Sequence, residues 1–177
     1  MKQIILRIDT ELALFIYKYI KNPKLDKILS NINKGEVFLI ISILSLFLTR
    51  KDWLFAFLFV GIFSFLNDRF VLFIKKRVSR KRPSLKLLGN TFQHEDLNHS
   101  FPSAHAANSL CAVFLLITCF EQSYFFFLLS FLAGFARLLS LHHFFSDVIG
   151  GWTIGLTSGI IGFILYLNWI HKFSFNL

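Results

Sequence analysis

The sequence predicts an all-α integral membrane bundle of about five transmembrane helices, preceded by an amphipathic helical hairpin at the membrane interface. Three observations predict it. The 177-residue chain is 55% hydrophobic with 24 Phe and only 16% charged residues, against about 25% charged in ordinary soluble domains. Its apolar residues gather in long blocks rather than alternating. Residues 1–34 instead show apolar positions at helical spacing with charges between them. The division expected is therefore an interfacial hairpin over 1–34 and a transmembrane domain over 35–177.

The hairpin comes first. Ile4, Ile5, Ile8, Leu12, Phe15, Ile16 and Tyr19 recur with helical period, and Arg7, Glu11 and Lys18 lie between them. Asn22-Pro23 breaks this helix, and a second short one is expected over Lys24–Ile32. A six-span alternative would use residues 3–20 as a span, but Arg7, Asp9, Glu11 and Lys18 make that window expensive in lipid. The same charges argue against a signal peptide.

A membrane-spanning helix needs about 20 mainly apolar residues. The stretches that qualify run Gly35–Thr49, Asp52–Phe73, Phe101–Phe120, Ser123–Leu141 and Val148–Ile170. The first is short and is expected to recruit residues before Gly35. Cys111 and Cys119 share one apolar segment about 12 Å apart along a helix, too far for a disulfide, and read as small buried residues. No Cys-x-x-Cys pattern or carboxylate cluster calls for a metal.

The formal net charge is +9. Nucleic acid is excluded as the reason, because the cations lie between apolar blocks rather than on a soluble recognition surface. An anionic lipid surface and a phosphorylated substrate remain. No obligate protein partner is indicated. The partners expected are the bilayer and a membrane lipid.

Three clusters decide between these readings. Lys75 is followed by Arg82-Pro83. Ser100-Phe101-Pro102-Ser103-Ala104-His105 opens the third span. Arg137, His143 and Asp147 join the fourth span to the fifth. Singly, each has a bland explanation: a Lys or Arg after a span marks topology, and a lone His anchors at the interface. With five alternating spans, however, all three clusters fall on one membrane face.

That set of residues suits phosphoryl transfer, where catalysis is mostly positioning and charge stabilisation. Lys75, Arg82 and Arg137 are fixed cations for phosphate oxygens. Pro102 marks a helix start, so the N–H groups of Ser103 and Ala104 are expected to face an anion. His143, four residues before Asp147, can take a carboxylate on one nitrogen and attack phosphorus with the other. His105 can protonate the leaving oxygen. No metal or other cofactor is then required. His142, His94, His99 and His171 read as bystanders. Lys76, Arg77, Arg80 and Lys81 read as headgroup or lipid-phosphate contacts.

The pattern resembles the type 2 phosphatidic acid phosphatase superfamily, whose signature is Lys-x6-Arg-Pro, Pro-Ser-Gly-His and Ser-Arg-x5-His-x3-Asp. Lys75 with Arg82-Pro83 matches the first part, Pro102-Ser103-Ala104-His105 the second with Ala104 for Gly, and Arg137, His143 and Asp147 the third with Ala136 for Ser. The resemblance implies a metal-free phosphohistidine mechanism in a helical membrane bundle. It carries over Lys75, Arg82, Ser103 and Arg137 as phosphate ligands, His105 as general acid, and His143 with Asp147 as the nucleophile pair.

Members of that family act on several phospholipids and on soluble esters. Lipid A 1-phosphatase is the substrate reading favoured here, because the basic hairpin (Lys18, Lys21, Lys24, Lys27, Lys34) suits a large phosphorylated headgroup, with Lys81 adding to it. Undecaprenyl diphosphate and phosphatidylglycerophosphate are the alternatives. A phosphotransferase and a small transporter are the rival classes. The expected location is a bacterial inner membrane with the site facing the periplasm. One observation opposes that orientation. All basic residues except Arg50, Lys51 and Lys172 fall on the active face or run toward it, which the positive-inside rule assigns to the cytoplasm.

Overall fold

Helix is the regular structure throughout the described residues, which in this computed structural model are 2–20, 22–32, 35–83 and 99–174. The order is α1 (Lys2–Phe15), a π-helical turn (Ile16–Ile20), α2 (Pro23–Ile32), α3 (Glu36–Thr49), α4 (Trp53–Val78), α5 (Ala104–Phe120), α6 (Phe125–Leu139) and α7 (Phe145–Ser174). Lys21 and Lys34 of the basic hairpin, and the polar stretch holding His94, lie outside the described residues.

α5 is the central helix and packs against α4, α6 and α7. Twelve of its residues are buried, among them Leu115, Leu116 and Phe120. Two glycines of α7 make the α5–α7 approach close. A Cβ on Gly151 would stand 2.4 Å from the Ser103 carbonyl oxygen, and one on Gly155 2.2 Å from that of Ala107. Small residues at such crossings let helix backbones meet where no hydrophobic drive separates protein from lipid.

Outward faces are apolar. Leu44, Phe47 and Leu48 on α3, Ile62, Phe65 and Leu66 on α4, and Ile160, Ile161 and Ile164 on α7 are all exposed. A continuous apolar exterior of this kind marks a surface made for a non-aqueous neighbour. Two helices, Trp53–Val78 and Phe145–Trp169, are long and apolar enough to cross a membrane; Phe38–Thr49, Ala104–Phe120 and Phe125–Leu139 are shorter apolar helices.

The helices alternate in direction, as ties at the two ends show. At one end Gln122 joins α3 by accepting from Ser45 and donating to Thr49 Oγ1 (3.0 Å). At the other, Ser103 N donates to Asp147 O (2.9 Å), bringing the start of α5 to the start of α7. Mid-bundle, Asn67 donates to Asn108 (2.7 Å) and accepts from Ser158 (2.7 Å), while Asn108 donates to Asp68 (3.0 Å). Polar bonds between helices act as glue in apolar surroundings. Asp68 and its partner Arg69 also put charge part-way along α4, so the charges are not confined to one end.

α3 starts at Glu36, with Gly35 at its N-cap. Gly35 has φ +72°, a left-handed conformation that interrupts the helix and that glycine adopts without a Cβ penalty. The Asn22-Pro23 break holds: Asn22 Oδ1 accepts from Leu25 N (2.9 Å), and Pro23 begins α2.

α1 departs from the simple amphipathic reading. Along α1 and the π-helical turn that follows, Ile4, Ile5, Ile8, Phe15 and Tyr19 are exposed, whereas Asp9, Ala13 and Ile16 are buried. These three lie at i, i+4 and i+7, one helical stripe. With Leu12 and Ile20, that stripe packs on Leu138, Leu141, Phe144 and Val148, the junction of α6 and α7.

Candidate active site

The signature residues meet at the end of the bundle where α4 and α6 finish and α5 and α7 begin. Lys75 sits in the last turn of α4, only 8% exposed, with Nζ donating to His99 O (3.1 Å). α4 then closes through Ser79, whose φ of 47° turns the chain back over the site. Arg82 follows, near enough to Arg137 for their charges to act on each other. Like-charged guanidiniums held near each other call for an anion to bind both.

α5 begins at Ala104 with Ser103 at its N-cap. Here one expectation is corrected. Ser103 N–H does not face the site; it donates to the Asp147 carbonyl, because Gly151 brings the first turn of α7 against it. The Ser103 side chain remains: its Oγ is buried and makes no hydrogen bond. Ala104 is half-buried, and His105 is exposed at the same end of α5.

Arg137 lies in the last turn of α6, and its Nε is also buried without a hydrogen bond. Its carbonyl accepts from both His142 N (3.1 Å) and His143 N (3.3 Å), hooking the following loop under the helix. Leu141 within that loop has φ 57°. A bulky residue there is strained, and such strain concentrates at functional sites.

His143 is 2% and Asp147 0% exposed. His143 Nδ1 stands 3.8 Å from Asp147 Oδ2, beyond hydrogen-bond range, and makes no other bond. Asp147 is held from three further directions: Ser100 Oγ and Phe144 N (2.8 Å) donate to Oδ2, and Arg80 Nη1 donates to Oδ1 (2.6 Å). Burial pushes the His143 imidazole down to about 4, with Arg137 and Lys75 acting the same way and Asp147 opposing. The ring is therefore neutral at physiological pH, the form a nucleophile requires.

His142 is occupied elsewhere, with Nδ1 2.8 Å from Ser140 Oγ. Lys18, Lys24 and Lys81 are exposed, and Lys18 Nζ lies 5.1 Å over the Tyr19 ring.

Arg80 is the residue the sequence reading placed wrongly. It is no headgroup contact: it bridges Asp147 and Asp9 (2.7 Å) and lies over the Phe144 ring, 4.6 Å from its centroid. In the sequence Asp9 stands out only as a charge in the first helix. It accepts from Arg80 and from Ser146 N (3.0 Å) and Oγ (2.6 Å). The signal available was its place on the stripe with Ala13 and Ile16.

Residues 52–171, which carry Lys75, Arg82, Ser103, Ala104, His105, Arg137, His143 and Asp147, match the sequence profile of the PAP2 superfamily. The chain belongs to the PAP2 superfamily. Its fold is similar to that of LpxE from Aquifex aeolicus, with TM-score 0.67 and 24% identity over 84% of this chain and 91% of that one. It is also similar to the first transmembrane PAP2 type phosphatidylglycerolphosphate phosphatase from Bacillus subtilis, with TM-score 0.62 and 23% identity over 95% of this chain and 87% of that one. A search of curated proteins finds no match. Membership of the PAP2 superfamily supports a phosphatase, and the apolar helices support a membrane location.

Proposed function

We propose that this PAP2 protein hydrolyses a phosphate from a membrane lipid headgroup through a phosphohistidine at His143. The observation that carries the reading is the set of buried polar atoms left without hydrogen bonds at one end of the bundle: Ser103 Oγ, Arg137 Nε and His143 Nδ1. A buried polar group without a partner costs about 1–3 kcal/mol. Ser103 Oγ and Arg137 Nε await the phosphate, and His143 Nδ1 awaits Asp147 while Nε2 is left to attack.

In this reading His143 Nε2 attacks phosphorus while the phosphate oxygens bind Lys75, Arg82, Ser103 and Arg137, with the Ala104 N–H at the helix N-terminus. The P–O bond to the lipid breaks as His105 donates its proton to the leaving oxygen. Water then attacks the phosphohistidine, giving up a proton to His105 and releasing inorganic phosphate. Asp147 orients His143 once the ring closes the remaining gap. Charge neutralisation is supplied by Lys and Arg; among the described residues no three His, Cys, Asp or Glu side chains gather as a metal site.

The lipid proposed is lipid A, with undecaprenyl diphosphate and phosphatidylglycerophosphate as alternatives. The exposed cations Lys18, Lys24 and Lys27 of the first two helices support a large anionic headgroup. The arrangement proposed is a 1–34 hairpin along the interface and five spans from α3 to α7, in a bacterial inner membrane with the site toward the periplasm. The test is phosphate release in detergent with EDTA, on lipid A, undecaprenyl diphosphate, phosphatidylglycerophosphate and phosphatidic acid, beside a His143→Ala control. Release abolished by the substitution supports the mechanism and names the lipid. Release that survives it, or that needs an acceptor lipid, overturns it.

A further inference from the structure

Asp9 is a carboxylate buried to 2% exposure on a helix that the family signature does not include. Burying a charge costs several kcal/mol unless it is paired and hydrogen-bonded. Asp9 is both. Ser146 N and Oγ hold its two oxygens, and Arg80 Nη2 donates to Oδ2. Ser146 lies in the first turn of α7, so Asp9 also places negative charge at that helix N-terminus, where it is favoured.

Arg80 spends its other nitrogen on the catalytic side. Nη1 donates to Asp147 Oδ1 (2.6 Å) and to Ser146 Oγ (2.6 Å). One guanidinium is thus shared between two carboxylates, one on α1 and one beside the nucleophile. The plane is pinned from below by the Phe144 ring. Arg suits this use because its planar fork fixes both partners at once.

We propose that Asp9 is a positioning residue for the reaction: it fixes and partly neutralises Arg80, which in turn holds Asp147 in register with His143. Without Asp9, Arg80 has one carboxylate partner instead of two and turns fully toward Asp147. That draws Oδ1 outward, lengthens the gap from Oδ2 to His143, and removes one negative charge from beside the phosphate cradle. The N-terminal helix is in this way a structural part of the active site rather than only a membrane anchor.

The inference rests on the reading of His143 and Asp147 as the nucleophile pair. Its test compares wild type, Asp9→Asn, Arg80→Gln and the double variant, by phosphate release in detergent from the four lipids named above, with thermal midpoints measured in parallel. Asp9→Asn is expected to lower kcat about tenfold with KM held within about twofold, as loss of an outer-shell partner does. In the Arg80→Gln background it is expected to lower kcat no further, because coupled residues are not additive. Asp9→Glu, which keeps the carboxylate, is expected to restore most of the loss. If Asp9→Asn does not fold, Ser146→Ala removes the Oγ donor to Asp9, leaving the backbone N–H, and is compared with Arg80→Gln in the same way.

An unchanged kcat in Asp9→Asn, or an equal loss in both backgrounds, overturns the inference while leaving the phosphatase reading standing. A wild type that releases no phosphate from any of the four lipids takes both down.

Discussion

The Nδ1 atom of His143 stands 3.8 Å from Oδ2 of Asp147, and the carboxylate, not the ring, is the fixed member of the pair. Oδ2 already accepts from Ser100 Oγ and Phe144 N, and Oδ1 is bound by Arg80. The imidazole has no such restraint at Nδ1. Less than about 1 Å of ring movement makes the hydrogen bond, and catalytic contacts commonly tighten only with substrate in place.

That geometry makes Asp147→Asn the most damaging isosteric change at the site. An amide cannot accept on both sides, so one nitrogen would face either Arg80 or the Ser100 and Phe144 donors. It would also fail to stabilise a charged His143. The expected result is a fall in kcat of at least about a hundredfold with little change in KM, measured as phosphate release. The folded protein should also unfold at lower temperature, since Arg80 loses a charged partner.

Acid should destabilise the protein through His143. Its folded pKa of about 4 lies below the ordinary 6.5. Between those values the unfolded chain binds a proton that the folded site refuses. Stability is therefore full above pH 6.5 and is lost as pH falls toward 4, by at most about 3 kcal/mol. His143→Gln removes this contribution. Its thermal midpoint in detergent should depend less steeply on pH from 6.5 to 4 than that of the wild type; parallel profiles would contradict the assignment.

Ser103→Ala separates function from stability. Its hydroxyl is buried and makes no hydrogen bond within the protein, so its removal costs no internal partner. The thermal midpoint should stay level or rise slightly, because a desolvated donor is gone. Activity should fall about tenfold to a hundredfold, as when one preorganised donor is taken from a developing anion. Equal losses in both would make Ser103 a structural residue.

Helix direction explains why so much of the site could be read from the chain. Once α3 to α7 alternate, the ends of α4 and α6 and the starts of α5 and α7 must share one end, and the residues at those ends follow. What stayed hidden depends on contacts between distant segments. Arg80 lies in a run of cations between Lys75 and Arg82, and nothing local distinguishes it; its function appears only with Asp9 and Asp147 on either side. The Ser103 N–H looked available because the sequence does not show that Gly151 lets α7 approach closely enough to take it. Asp68 and Arg69 sat inside an apolar block whose average concealed them, and Asn108, which donates to Asp68, is on another helix.

Gly155→Ala should test whether the α5–α7 crossing holds the site together. The added methyl would stand 2.2 Å from the Ala107 carbonyl oxygen, 2.9 Å from its carbonyl carbon and 3.0 Å from its Cα, all backbone atoms that no rotamer change can move. The helices must separate instead, which costs about 1–3 kcal/mol in a packed interior. Separation also strains the bond from Ser103 N to Asp147 O, about one turn away on α5 and two on α7, so phosphate release should fall together with the thermal midpoint. Gly61→Ala is the control: its methyl meets nothing within 4 Å, and replacing glycine within a helix should add about 0.5–1 kcal/mol. If Gly155→Ala were as stable and as active as Gly61→Ala, the close crossing would not be what aligns α5 with α7.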